Sequence, residues 1–285
     1  MNLIVGSLVV AGCVFGGFVL SGGQLLALWH PNEILVICGA AFGAFIISNP
    51  MKLIKEVFGG IPALLKGSPY DKSLYMDLLS LLYELFSKAR KDGLMSLEQD
   101  IEEPAKSPVF KRYPKILADH HALEFITDYL RLMVNGSANP MELENLMDVE
   151  LETHHQEAHL KPHAVTQVSD GLPGFGIVAA VLGIVITMAS ITEGPEVIGA
   201  KVATALVGTF LGILLAYGFV GPMANALGHL VEAQGKFLEC AKVALLASVN
   251  GYAPQVAVEF GRKAIPPSER PTFSELENHI KKKKK

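Results

Sequence analysis

The chain has 285 residues, half of them apolar, and its mean hydropathy of +0.36 is high for a protein that works only in water. Its net charge of −4 is small and gives no sign of the basic surface that binds nucleic acid. Two of its three cysteines lie in apolar segments, so the cysteines suggest no disulfide framework. The composition therefore indicates an integral membrane protein without a nucleic-acid partner.

Four apolar stretches are long enough to cross a bilayer and contain no Asp, Glu, Lys, Arg or His. They are Leu3–Leu20, Ile34–Ser48, Leu172–Ile191 and Val202–Gly221. At about 1.5 Å per residue, a helix over each would span about 23–30 Å. We predict an all-α polytopic membrane protein with four transmembrane helices and a large helical cytoplasmic domain. The predicted divisions are transmembrane helices 1 and 2 at 1–49, the cytoplasmic domain at 50–170, transmembrane helices 3 and 4 at 171–222, and a cytoplasmic extension with a basic tail at 223–285.

The basic residues predict the orientation of these helices. Of the 24 Lys and Arg residues, 13 lie between Lys52 and Lys161, and ten follow Pro222. Because such residues near membrane ends stay on the cytoplasmic side, we expect both termini and the long middle segment to be cytoplasmic. The first span has no cleavage pattern after it, so we interpret it as a retained anchor rather than a signal peptide.

Helical periodicity and capping residues divide the polar segments. The predicted helices run from Asp71 to about Lys91, from Lys115 to Asn135, from Pro140 to about His159, and from the fourth span past a bend at Pro222 to about Asn250. A short last helix begins at Thr272, with Glu275 in capping-box register. We expect the lysines at 281–285 to form a solvated tail, with contact to anionic lipid as the alternative.

Glycines at small-xxx-small spacing occur in three spans. The pairs are Gly12/Gly16, Gly39/Gly43 and Gly208/Gly212, and the third span adds Gly174, Gly176 and Gly183. Such glycines let two helix backbones approach closely, although glycine is also common in membrane helices generally. We expect the third and fourth spans to pack tightly, and we favour contacts between subunits.

The sequence carries no nucleophile, phosphate-binding or zinc-protease motif in the expected context, so we predict no catalytic residue, no enzyme activity and no cofactor. The best metal candidate is the set His155, His159 and His163, with His154 adjacent. Imidazoles four residues apart can share a helix face, but Pro162 is expected to interrupt this spacing. A solvated polar face is favoured, and no metal site is predicted.

The four spans lack a titratable group in the middle of the membrane. Glu33 is expected at the outer boundary and Asp170 at the inner one. Carriers of protons or sodium usually need an intramembrane carboxylate or a similar relay. Either this chain moves no ions, or a partner chain supplies the carboxylate and this chain builds the walls around it.

Several sequence runs resemble a known family. They are SKARKDGLMSLE at 87–98, DGLPGFGIVAAVLG at 170–183, VGTFLGILLAYGFVGP at 207–222, and NGYAP at 250–254 followed by EFGRK at 259–263. With the two-loop-two layout, they are similar to the MotA family of flagellar motor stator proteins, within the MotA/TolQ/ExbB proton channel family. The resemblance covers essentially the whole chain, with Gly174 standing where alanine is expected.

The resemblance implies a ring of five copies around a MotB dimer, whose transmembrane aspartate carries the ion. The third and fourth spans would line the interior, with Ala180 and Thr209 near that carboxylate, and the first two would face lipid. Pro173 and Pro222 would lie beside the ion path and couple it to a change of shape. A first-turn proline such as Pro173 can also simply start a helix.

The resemblance also implies that Arg90 and Glu98 face the rotor switch protein FliG, although a solvated helix face is the default for such charges. The implied function is a stator subunit of the bacterial inner membrane, in which an ion flux drives torque on the rotor. Protons are the preferred ion, and sodium is the alternative. Two other functions stay open: an envelope energiser of the TolQ/ExbB type and a non-conducting membrane scaffold.

Overall fold

The computed structural model describes residues 2–136, 139–189, 192 and 194–283. Over these residues the chain forms twelve α-helices and no β-strand, which confirms the predicted all-α fold. The helices are α1 (Asn2–Leu20), α2 (Pro31–Ser48), α3 (Met51–Lys66), α4 (Lys72–Asp92), α5 (Glu98–Glu102), α6 (Pro114–Leu117), α7 (His120–Val134), α8 (Pro140–Ala189), α9 (Pro195–Leu215), α10 (Gly221–Val249), α11 (Pro254–Ala264) and α12 (Phe273–Lys283).

Four helical stretches are apolar and long enough to cross a bilayer. They are α1, the stretch Leu25–Ser48 that contains α2, the apolar part of α8, and α9 with the helix that follows it. They coincide with the four predicted spans, so the chain is a multi-pass membrane protein. The predicted end of the third span, Ile191, lies outside the described residues.

The chain divides into two compact units, each built from two separate segments. The membrane unit comprises Met1–Gly67 and Glu157–Leu230, and it contains the apolar helices. The polar unit comprises Ser68–Gln156 and Val231–Lys285. Because α8 and α10 each cross a division point, both helices contribute residues to both units.

The polar unit is built around α4. Asp71 caps the start of this helix by accepting a hydrogen bond from the Leu74 amide at 2.8 Å. Gly93 ends it, with a φ of +85° that suits glycine. Between these ends, five leucines are fully buried: Leu78, Leu79, Leu81, Leu82 and Leu85. A helix this apolar belongs inside a core, and the predicted helix from Asp71 to about Lys91 is confirmed.

The prediction of one helix from Lys115 to Asn135 is wrong, because the chain forms two helices there, α6 and α7. Asp119 separates them with an extended backbone. Its carboxylate accepts one hydrogen bond from the Ala122 amide at 3.2 Å and another from the Tyr70 hydroxyl at 3.1 Å. The first caps α7 and the second ties the cap to a distant segment, so the break depends on a tertiary contact.

The prediction that a helix ends near His159 is also wrong, since α8 continues to Ala189. Asn139 and Glu142 start it with a capping box, in which each amide donates to the other residue's side chain at 3.0 Å. Pro162 and Pro173 both lie inside the helix. Each proline removes one backbone N–H without ending α8.

The fourth span passes into α10 through a π turn at Ala216–Val220. Its closing hydrogen bond runs from the Gly221 amide back five residues to the Ala216 carbonyl oxygen. Pro222 follows directly. The irregularity expected at Pro222 therefore lies in the turn before it.

The last helix, α12, begins with the predicted capping box. The Thr272 amide donates to the Glu275 carboxylate at 2.6 Å, and the Glu275 amide donates to the Thr272 hydroxyl at 3.3 Å. Hydrogen bonds from the Lys72 ammonium group and from Thr272 lower the pKa of Glu275 to about 2. The start of α12 is thus attached to the start of α4 by an exposed ion pair.

The end of α12 differs from the expected solvated tail. Lys283 Nζ lies 3.3 Å from the Asp77 carboxylate and 4.9 Å from the centre of the Tyr113 ring. Asp77 also contacts the His279 ring at 2.9 Å. At least this lysine packs on the polar unit, while residues 284 and 285 lie outside the described residues.

We predict that Asp119→Ala destabilises the polar unit by about 1–2 kcal/mol, because the variant loses the cap of α7. The Tyr70 hydroxyl also loses its acceptor. Faster hydrogen exchange of the first amides of α7 measures the effect. Asp128→Ala, on the same helix but in an exposed pair with Arg131, is the control; equal exchange in the two variants would contradict the role of the cap.

Candidate functional site

In the membrane unit, α8 and α9 touch backbone to backbone at three glycines. A Cβ atom built on Gly212 would lie 2.7 Å from the Leu172 carbonyl oxygen. One built on Gly176 would lie 2.9 Å from the Gly208 carbonyl oxygen. Real Cβ atoms do not come this close to a backbone, so the helices can cross here only because these residues are glycine.

This crossing confirms part of the glycine prediction. The third and fourth spans pack tightly, with Gly208 and Gly212 in contact with α8 of the same chain. That glycines of the spans also pack between subunits stays a prediction. The pair Gly12/Gly16 and Gly43 have no atoms within 4 Å of a built Cβ atom. A side chain at these positions would therefore meet open space in the single chain.

Ala180 and Thr209, the two residues predicted to lie near the ion, flank the crossing. A Cβ atom on Gly208 would lie 3.5 Å from the Ala180 nitrogen, and one on Gly176 would lie 3.4 Å from the Thr209 Cα atom. Both predicted residues are half-buried in the chain. The fold thus brings them to one rigid part of the membrane unit, from opposite helices.

Pro173 and Pro222, the two predicted coupling residues, lie near the same contact. Pro173 follows Leu172, whose carbonyl oxygen faces Gly212. Pro222 is exposed and follows the π turn. The turn is joined to α8 by Ser169, whose hydroxyl donates to the Ala216 carbonyl oxygen at 2.9 Å. Sequence reasoning misses Ser169, because a single serine near a helix end carries no signal until its distant acceptor is known.

Within the four predicted spans, the described residues include no Asp, Glu, Lys, Arg or His. Asp170 is exposed on α8, one residue after Ser169, and Glu33 lies in the first turn of α2. The crossing of α8 and α9 is therefore an apolar wall with threonine hydroxyls. It can surround a charge, but it offers no acid or base of its own.

In the polar unit, Arg90 and Glu98 are exposed on neighbouring segments. Arg90 lies in the last turn of α4, and Glu98 is the first residue of α5. The Lys88 ammonium group contacts the buried Asp100 carboxylate at 2.6 Å, and Ser107 donates to the same carboxylate at 2.5 Å. Lys88 stands two residues from Arg90 and Asp100 two residues from Glu98, so this network links the two segments that carry the exposed charges.

The histidine cluster differs from expectation in its backbone. Pro162 lies within α8, so His155, His159 and His163 occupy successive turns of one helix. His155 Nε2 lies 4.0 Å from the Glu232 carboxylate. That this segment binds no metal stays a prediction, which a zinc titration of the purified protein would test.

Comparison with known proteins identifies the chain. Residues 4–93 match the family profile of the Motility protein A N-terminal region, and residues 118–239 match that of the MotA/TolQ/ExbB proton channel family. Motility protein A of Salmonella typhimurium is 52% identical over 99% of this chain and 95% of its own length. The corresponding values for Escherichia coli Motility protein A are 50%, 99% and 95%. The chain belongs to the Motility protein A family.

Solved structures agree with this assignment at the level of the fold. The MotAB structure of C. jejuni matches with a TM-score of 0.79 and 20% identity, over 95% of this chain and 99% of the other. The flagellar MotAB stator complex of Bacillus subtilis matches with a TM-score of 0.76 and 24% identity, over 95% and 98%. The arrangement of α8 and α9 described above is therefore part of a Motility protein A fold.

We predict that Gly212→Ala destabilises the membrane unit by about 1–3 kcal/mol, because the added methyl group meets backbone atoms that cannot rotate away. A lower midpoint of thermal unfolding in detergent measures the change. Gly199→Ala is the matched control, since it lies on the same helix and its Cβ atom meets nothing within 4 Å. Equal midpoints for both variants would contradict the close crossing.

Proposed function

We propose that this chain is a stator subunit of the bacterial flagellar motor that forms an ion path with MotB and turns the ion flux into torque on the rotor. Family membership over nearly the full length supports the stator assignment. The observation that carries the proposal is the apolar crossing of α8 and α9, a close-packed wall without an ionisable group. Such a wall needs a partner's carboxylate before it can move ions.

The partner we propose is MotB, whose transmembrane aspartate binds and releases the ion beside Ala180 and Thr209. The Thr209 hydroxyl offers a hydrogen-bonding group next to that carboxylate. We propose five copies of the chain around a MotB dimer. The exposed apolar side chains of α1 and α2, such as Leu8 and Ile47, suit contact with lipid or a neighbouring subunit.

Coupling between the ion and the shape of the subunit is proposed to pass through Pro173 and Pro222. Each proline removes one helical hydrogen bond close to the α8–α9 contact, so the backbone there has fewer restraints than an unbroken helix. An ion that falls through 100 mV releases about 2.3 kcal/mol. That energy exceeds the contribution of one hydrogen bond, which is about 1 kcal/mol. One ion can therefore supply enough energy to change the backbone at these prolines.

Contact with the rotor is proposed to use Arg90 and Glu98, and the rotor partner is FliG. Both charges are exposed, and exposed ion pairs contribute at most about 1 kcal/mol each. One ion can therefore break one such contact, whereas a buried pair, which costs about 3–5 kcal/mol to break, would stall the cycle. The rigid Lys88–Asp100 network behind these charges lets the pushing force reach the rotor.

The proposed location is the bacterial inner membrane, with both termini and the polar unit in the cytoplasm. The support is the distribution of basic residues, with 13 between Lys52 and Lys161 and ten after Pro222. We propose no enzyme activity and no cofactor for the chain. An energiser of the TolQ/ExbB type is disfavoured by the match of residues 4–93 to the Motility protein A N-terminal profile.

We predict that Arg90→Glu reduces swimming severalfold while leaving the protein in the membrane, because the charge that meets FliG is reversed. Reversing the charge of the facing FliG residue should partly restore swimming. Lys115→Glu, another exposed cation of the polar unit, is the control and should swim normally. Unchanged motility of the Arg90 variant at normal expression would contradict its role in rotor contact.

Replacing Pro222 or Pro173 by alanine should lower torque without loss of MotB association, because the restored N–H stiffens the joint. Motor speed under load measures torque, and copurification measures association. Wild-type torque in both variants would refute the coupling role.

We propose protons as the coupling ion. Motors driven by this chain should then turn at normal speed in sodium-free medium and stop when a protonophore is added. Rotation that requires sodium and survives the protonophore would instead identify sodium as the ion.

A further inference from the structure

Ser169 makes an unusual hydrogen bond for a hydroxyl in a membrane helix. Its side chain is 3% exposed and donates to the Ala216 carbonyl oxygen, 47 residues away, at 2.9 Å. Three other hydroxyls on α8 and α9 bond within their own helix. Thr166, Thr187 and Thr204 each donate to the carbonyl oxygen four residues earlier. Ser169 thus cross-links two helices where its neighbours do not.

The acceptor of this bond is the first residue of the π turn. The Ala216 carbonyl oxygen also accepts the Gly221 amide, so both of its lone pairs are used. A Cβ atom on Gly221 would lie 3.1 Å from this oxygen and 3.1 Å from the Ser169 Oγ atom. Glycine at 221 therefore makes room for Ser169, and the three groups form one compact joint.

The joint lies between the two missing helical bonds. Residue 173 is proline, so the Ser169 carbonyl oxygen lacks the usual N–H donor four residues later, and Pro222 likewise removes that donor for the Gly218 carbonyl oxygen. π turns inside α-helices are frequent at functional sites. Both backbones lack a helical N–H donor in this region, and the hydrogen bond of the Ser169 hydroxyl links the two segments.

We infer that Ser169 is a positioning residue that makes the α8 segment at Pro173 and the α10 segment at Pro222 move as one body. This inference rests on the proposed stator function and adds a residue to it. With the bond intact, a shift of α8 caused by the ion is passed to the start of α10. Without it, the ion still crosses, but less of its energy becomes torque.

The test separates ion flux from torque. Ser169→Ala should insert and copurify with MotB, and its flux in proteoliposomes with MotB should match the wild type. Its torque per ion should fall severalfold, because the hydrogen bond that links the two segments is lost. Ser169→Thr keeps the hydroxyl and should recover most of the torque. Thr187→Val removes a buried hydroxyl that bonds only within α8 and is the matched control, with unchanged torque per ion.

Three results would overturn the inference: wild-type torque per ion in Ser169→Ala, an equal loss in Thr187→Val, or a loss of flux in proportion to torque in Ser169→Ala. Failure of the proposed function looks different. In that case the wild-type chain itself gives no flux with MotB and does not restore swimming to a strain that lacks its Motility protein A.

Discussion

The close contact between the apolar parts of α8 and α9 is the constraint on which the rest of this molecule depends. Because Gly176, Gly208 and Gly212 have no side chains, the backbones of α8 and α9 come into direct contact, and that contact leaves no room for a larger residue. The contact itself includes no charged side chain, so an ion path along it needs a titrating group from elsewhere. In a motor built on this chain, the apolar helices form the wall of the ion path and a partner protein supplies the group that carries the charge.

The separation of roles between this chain and its partner is consistent with a structural difference between the membrane unit and the polar unit. The membrane unit has a close glycine crossing, and it lacks a backbone N–H at Pro173 and at Pro222, with a π turn directly before Pro222. The polar unit has a dense core around α4 and presents Arg90 and Glu98 on a backbone held by the buried Asp100 carboxylate. A stiff polar unit suits a part that pushes, whereas a joint with missing hydrogen bonds suits a part that must change shape.

The membrane spans, the capped helix α4 and the capping box at Thr272 could be predicted from sequence, because each depends on residues that are close in the chain. The break at Asp119 could not, since it depends on the Tyr70 hydroxyl 49 residues away. Likewise, Pro162 is expected from sequence to interrupt the helical spacing of the histidines, and a helix start is one alternative for Pro173, yet α8 passes through both. The Ser169 bond to Ala216 joins two helices that only the fold brings together, so no local pattern predicts it.

The central claim is that the titrating acid comes from another polypeptide, and reconstituted flux tests it most directly. Proteoliposomes would contain the chain alone, the chain with MotB, or the chain with a MotB variant whose transmembrane aspartate is replaced by asparagine. The account predicts partner-dependent proton flux only with unaltered MotB. Full flux through the chain alone, or with the asparagine variant, would contradict it.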